Sequence, residues 1–218
     1  MLEFAIVTIS LTFMFAGAFT IGALLNKALQ VSNVTRSAAV LMVTAVTNTK
    51  ADLNLVLPQN QRILIREANG LGMASDAQYD PSPTGNGAIF LSKIILVGAN
   101  ECAAGVSPIP GGVPPWNNAA CPNYNNYVFA YYVAIGNKTR WASAFGTPPG
   151  ADVLSDGTVS AQNIATNTSL QIPSATMTSI ITMVQSQYAL ISETYADVSS
   201  VSVFSIFKPP VVYYRTIT

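Results

Sequence analysis

Side chains able to do chemistry are few in this sequence, and their placement excludes more than it offers. None of the 218 residues is a histidine. That removes the commonest general base and metal ligand, and with them any Ser-His-Asp or Cys-His site. The carboxylates that could in principle hold a cation are Asp76 with Asp80 and Asp152 with Asp156. Neither pair has the spacing of an EF-hand, and both lie among turn residues ("DAQYDPSPTGNG", "ADVLSDG"), so solvated loops are expected. No Gly-rich segment follows a strand and opens a helix as phosphate binding requires. Tyr124, Tyr127, Tyr131 and Tyr132 cluster in sequence and are expected to pack on a strand face or an interface rather than to stack a ligand. These residues predict a protein that is not an enzyme and takes no cofactor or metal.

Cys102 and Cys121 flank eighteen residues rich in Pro and Gly. Without a C-x-x-C motif or a histidine, a zinc site is a poor reading. A disulfide pinning a loop is expected, which places the domain in an oxidising, non-cytosolic compartment. "NVT" at Asn33, "NKT" at Asn137 and "NTS" at Asn167 match the glycosylation pattern. Asn33 falls on a predicted helix, which leaves Asn137 and Asn167 as the candidate acceptors.

Glu3 stands at the mouth of an uncharged run, Phe4 to Leu25, of 22 residues. A carboxylate there is costly in hydrocarbon unless it finds water or a partner. The run exceeds the roughly 18 residues at which a transmembrane helix is the default reading. A cleaved signal peptide would need a basic start, a shorter apolar core and a break; no basic residue precedes Lys27, and the pattern continues. Leu24, Ala28, Val31, Thr35, Ala38, Met42, Ala45, Thr49, Leu53 and Val56 follow at intervals of three or four, the spacing of one helix face. One helix is predicted from the N-terminus to about Leu57, roughly 85 Å long. Its first half is apolar all round and must be buried by lipid or protein. Its second half is amphipathic and should lie along a globular domain. Ala16, Gly17, Ala18, Gly22 and Ala23 make the first half rich in small residues. Ala18 to Gly22 is a small-xxx-small step, which lets helices approach closely.

Beyond Pro58 the pattern predicts an α+β domain over 58–218. Gln61–Ala68 reads as a short strand, Ala88–Gly98 as a strong one, and Asn126–Gly136 with Lys138–Phe145 as a hairpin turning at Gly136-Asn137. Gly146–Pro173 reads as irregular. Met177, Ile181, Val184, Tyr188, Ile191 and Tyr195 suggest a second helix near 174–196. Ser200–Phe207 and Val211–Thr216 read as a strand and as an edge strand or extended tail. The expected architecture is a long N-terminal helix, with 1–25 in a membrane or filament core, packed through its second half on an antiparallel sheet.

Composition agrees with life in an assembly. Ten basic and ten acidic residues leave no net charge, and only 9 % of the chain is charged, against roughly 25 % in ordinary domains. Nothing argues for nucleic acid. A neutral, hydroxyl-rich surface suits association with copies of itself.

The segment "LEFAIVTISLTFMFAGAFTIGALLNKALQVSNVTRSAAVLMV" resembles the N-terminus of the TadE/TadG-like branch of type IV pilin-like proteins, and "VSSVSVFSIFKPP" is similar to that family's closing strand. The likeness covers roughly the first fifty residues and, more loosely, the last twenty. It implies a subunit held in the inner membrane, then drawn by a pilus assembly machine into a cell-surface filament, a helical homopolymer. It also implies that Glu3 pairs with a neighbouring subunit's N-terminal amine. Two features depart from the family: no basic leader is present, and the carboxylate stands third rather than fifth. Glu3, Phe4, Phe13, Phe15, Gly17, Ala18 and Gly22 are then the expected assembly residues. The alternative is a single-pass membrane-anchored minor pilus-assembly protein or adhesin, whose helix stays in lipid.

Overall fold

A computed structural model describes residues 2–47, 54–106, 120–199 and 211–218. The first element is one unbroken helix, α1, Leu2–Thr47, about 70 Å long at 1.5 Å per residue. Residues 48–53, where the predicted helix was to continue, lie outside the described residues. The prediction of helix as far as Leu57 is corrected at Asn54, whose side chain accepts the Val56 N–H at 2.9 Å in a turn. Leu57 is extended, as a residue before proline must be, and Pro58 opens a second helix at its first position.

That second helix, α2 (Pro58–Glu67), replaces the strand expected over Gln61–Ala68. Its buried residues, Gln61, Leu64 and Ile65, follow helical spacing, and Ile63 is left exposed. The alternation that suggested a strand was a coincidence of Ile63 and Ile65. Proline at the start and the Gln61 amide, which donates to Leu55 O at 2.7 Å, fix the helix instead.

The sheet has five antiparallel strands: β1 (Gly87–Leu96), β2 (Tyr127–Gly136), β3 (Gln171–Ile172), β4 (Tyr188–Ala196) and β5 (Val212–Ile217), in the order β3-β2-β1-β4-β5. The two long strands and the terminal edge strand are where the sequence placed them. A bulge at Ala130 shifts the β1–β2 register between Lys93 and Ile94. Short helices α3 (Ala99–Gly105), α4 (Ala161–Thr166) and α5 (Ser174–Thr178) lie off the sheet. Two of these elements, α4 and β3, organise the stretch 146–173, where irregular structure is expected from the sequence.

Two further predicted elements change. The helix begun at Ser174 ends at Thr178, and 188–196 is β4. Tyr188, Ile191 and Tyr195 satisfy a helical period by accident, while the strand buries both faces, polar residues included. Lys138–Phe145 is not a hairpin strand. The chain turns at Gly136, φ 85°, where glycine is free of the Cβ clash. It then crosses the sheet as a strap, with Arg140 pairing with Asp197 and Ser143 with Glu193. Ser200–Phe207 lies outside the described residues.

Each sheet face has its own core. One is closed by α1 and α2: Val31, Val34, Ala38 and Met42 of α1 are fully buried against Ile89, Leu91, Val133 and Leu190. This is the amphipathic half of α1, with Thr35 buried in the same face and its hydroxyl turned back onto Val31 O at 2.7 Å. The opposite core gathers Phe90, Ile94, Val128 and Ile191 with Leu170 and Met177. Cys102 and Cys121 are both buried in it and joined by a disulfide, with Cα atoms 5.8 Å apart.

Candidate functional site: the free half of the long helix

The stretch Val7–Ala45 of α1 is long and apolar enough to cross a membrane, and it is the one such helix among the described residues. Val7, Ile9, Leu11, Phe13, Met14, Phe15, Phe19, Ile21 and Leu25 are all exposed, Met14 to 75 % and Phe19 to 70 %. A helix turns roughly 100° per residue, so consecutive exposed residues point in every direction. A single apolar side chain at a surface is ordinary, but a helix that is apolar all round calls for burial all round.

The polar groups of this half are suited to a dry environment. Thr12 and Thr20 donate their hydroxyls to Thr8 O and Ala16 O, each at 2.8 Å, which satisfies the side chain within the helix. Gly17 and Gly22 face open space: a Cβ built on either meets nothing within 4 Å. Glycine is therefore not demanded there by the protomer. Ala18, Phe13 and Phe15 are likewise exposed, while Glu3 and Phe4 lie in the first turn of α1.

Where the free half meets the domain, polar contacts fix it. Lys27 donates to Gly70 O, the Gln30 amide to Glu67 O at 3.2 Å, and Ser37 to a Glu67 carboxylate oxygen at 2.8 Å. The first two acceptors are carbonyls at the C-terminal end of α2 and the turn after it, where a cation is favoured. A Cβ at Gly70 would lie 2.5 Å from the Gln30 side-chain oxygen, so a larger residue there would displace the Gln30 amide from this contact.

The other sequence candidates are placed as follows. Asp80 makes a two-point contact with Arg62, at 2.7 and 3.1 Å, and that guanidinium holds its carboxyl below the usual range. Asp76 closes a turn by accepting the Gln78 and Asp80 N–H groups. Asp156 accepts the Thr158 hydroxyl at 2.6 Å, and Asp152 lies 3.3 Å from the Ser169 hydroxyl. No group of three or more Cys, Asp or Glu poised for a metal is present among the described residues. The tyrosines are not one platform, because the pleat puts Tyr131 in the helix-side core and Tyr132 in the other. Asn137 is 7 % exposed and its side-chain nitrogen, the atom a glycan would take, donates to Gly85 O at 2.9 Å. Asn167 is half-buried and caps the turn at Ser169.

Sequence reasoning missed a buried carboxylate. Glu193 of β4 is fully buried and accepts from the Ser143 hydroxyl, the Ala144 N–H at 3.1 Å and the Tyr213 hydroxyl at 2.8 Å. Beside it Tyr195 packs on Tyr213 at 4.6 Å and stacks on Trp141 at 5.8 Å between ring centres. Burial, then the Glu193 charge, push the Tyr195 hydroxyl up to about 12. A single acid inside a strand read as helix gave no signal of its own. Its three neutral donors make it a fastener for the strap, and nothing in its geometry points to a reacting group.

Compared with family models, curated proteins and solved structures, the chain finds no match in any of the three.

Proposed function

We propose that this chain is a pilin-like structural subunit, made in the membrane and polymerised through its N-terminal helix into an extracellular filament. One observation supports this reading above the rest. A single rigid helix is built into a folded core by its second half and left uncovered on every side by its first. Several neighbours are needed to cover such a cylinder. Gly17 and Gly22, which the protomer does not need, fit close approach by other helices. The sequence likeness to TadE/TadG-like pilins points the same way, and Glu3 then serves as the docking charge, neutralised by a neighbour's amine.

The second reading is a single-pass anchor for a minor pilus-assembly protein or adhesin. What favours it is the length of the charge-free run, 22 residues, which suffices for a bilayer without any polymer. Electron microscopy of negatively stained material sheared from producing cells separates the two. Filaments labelled by an antibody to the domain support the polymer. Protein found only in the membrane fraction, with no labelled filament, overturns it and leaves the anchor.

A further inference from the structure

The outer edge of β2 is covered in pieces. β3 pairs with Tyr127 and Val128. Past the bulge, Tyr132 N–H donates to Gly157 O at 2.8 Å, and Val159 N–H donates to Ala130 O at 3.0 Å. Strand parity fixes what comes next. Asn137 N–H donates inward to Gly87 O at 3.0 Å, and Phe90 stands opposite Ala134. Hydrogen-bonded and non-hydrogen-bonded pairs alternate along an antiparallel ladder. Gly87–Asn137 is of the first kind, so Phe90–Ala134 is of the second, and Ala134 turns both its N–H and its C=O away from β1. The Gly136 N–H points the same way. Among the described residues, no hydrogen-bond partner takes these groups.

A cleft of about 630 Å³ opens along this stretch, within the range of ordinary binding pockets. Tyr132, Val133 and Ala134 of the strand line it, together with Thr147, Pro148 and Leu154 of the loops that follow. Tyr132 and Ala134 project to one face of the sheet and Val133 to the other, so the cleft runs beside the strand edge rather than over a face. Lys138 stands exposed at its rim, and no described carboxylate pairs with it.

We infer that the edge of β2 at Ala134–Gly136 is a strand-addition site for an extended peptide segment of another protein, acidic at the residue beside Lys138. Three observations select this occupant. The row of outward N–H and C=O groups complements a backbone. The cleft is lined by the strand edge and by residues of the 147–154 stretch, so a chain added to the edge would be flanked by protein. The lone cation at the rim asks for a carboxylate. The inference is independent of whether the chain polymerises.

The test uses the full chain in detergent micelles and the capped pentapeptide Ac-Thr-Val-Glu-Val-Thr-NH2. Two comparison peptides carry Lys in place of Glu, or a methyl on the central backbone nitrogen. Amide exchange at Ala134 and Gly136 is expected to slow at least tenfold at saturating peptide. Ala134→Pro removes the outward N–H without touching a bond to β1, as proline is tolerated on an edge, and it is expected to abolish binding while Ile89 and Leu91 amides stay protected. Should that variant misfold, the N-methyl peptide removes the reciprocal bond of the pair, from the peptide N–H to the outward Ala134 O, and is expected not to bind. Lys138→Glu is expected to weaken the Glu peptide roughly tenfold at low salt. Unchanged exchange at Ala134 with millimolar peptide, or equal binding by Ala134→Pro or by the N-methyl peptide, overturns strand addition. Equal affinity for the Glu and Lys peptides overturns the acidic partner.

Discussion

The Tyr213 hydroxyl donates to the Glu193 carboxylate at 2.8 Å, diagonally across the β4–β5 pair. Arg215, directly opposite Glu193 in register, turns instead toward the Phe145 ring, 5.4 Å from its centre. A fully buried carboxylate is thus held by neutral donors, two of them from the strap over 138–145. Removing Tyr213 alone by Tyr213→Phe should cost about 1.5–2 kcal/mol, the worth of one hydrogen bond to a charged group. Glu193→Ala, which strands all three donors, should cost about 3 kcal/mol or more. Urea unfolding followed by tryptophan emission reads both, since Trp141 lies on the strap. Equal stability of Glu193→Ala and wild type would show that the strap is held by its apolar contacts alone.

The same cluster predicts an alkaline weakness. Tyr195 is pushed up to about 12 by burial and by Glu193, and Tyr213 is raised for the same two reasons. An unfolded tyrosine titrates near 10. The folded state therefore keeps protons that the unfolded state has lost between these values. Their contribution to stability is whole below about pH 10 and falls as pH rises toward 12. Melting temperature should drop across that window, and less steeply in Tyr195→Phe. A flat profile from pH 9 to 11.5 would contradict the assignment.

The disulfide closes a loop with a sequence separation of 19. Chain-entropy reasoning gives about 3 kcal/mol for a loop near that length. The double variant Cys102→Ala, Cys121→Ala should lose roughly that much in denaturant unfolding, and reduction of the wild type should lose the same. Agreement between the two would attribute the loss to the cross-link rather than to the buried sulfur atoms.

The free half of α1 allows a clean separation of folding from assembly. A Cβ at Gly17 meets nothing in the protomer, so Gly17→Leu should leave melting temperature unchanged within about 1 °C. Lipid tolerates that bulk, whereas a close helix interface does not. The variant should insert into membranes normally and fail to form filaments, as judged by fractionation and electron microscopy. Glu3→Gln should fail in the same way, with the domain intact. Wild-type filament yield from both variants would remove α1 from the interface.

How much of this was readable beforehand varies with the kind of signal. The free half of α1 was plain, because an uncharged run of 22 residues has few explanations. The face formed by Val31, Thr35, Ala38 and Met42 was equally clear, since one sheet covers one stripe. β1 and β2 announced themselves through Val, Ile, Phe and Tyr. β4 did not: with both faces covered, Ser192, Glu193 and Thr194 are as buried as Ile191, and alternation vanishes. α2 was lost because ten residues hold too few turns to outvote one Ile-x-Ile. The open edge at Ala134 left no trace in composition, since it is a property of backbone pairing.

One feature of α1 sets a ruler for any assembly built on it. The helix runs without a break from Met14, in open space, to Met42, in the core. The azimuth of the sheet about the helix axis is therefore locked to the azimuth of the free half. Deleting one residue between Leu25 and Val31 would swing the whole domain by roughly 100° and draw it in by about 1.5 Å. Inserting seven there would return it to within about 20° of its starting bearing, a little over 10 Å farther out. Length changes in this segment act as phase changes, so the chain can tolerate them only in steps close to whole turns, such as about seven or eleven residues.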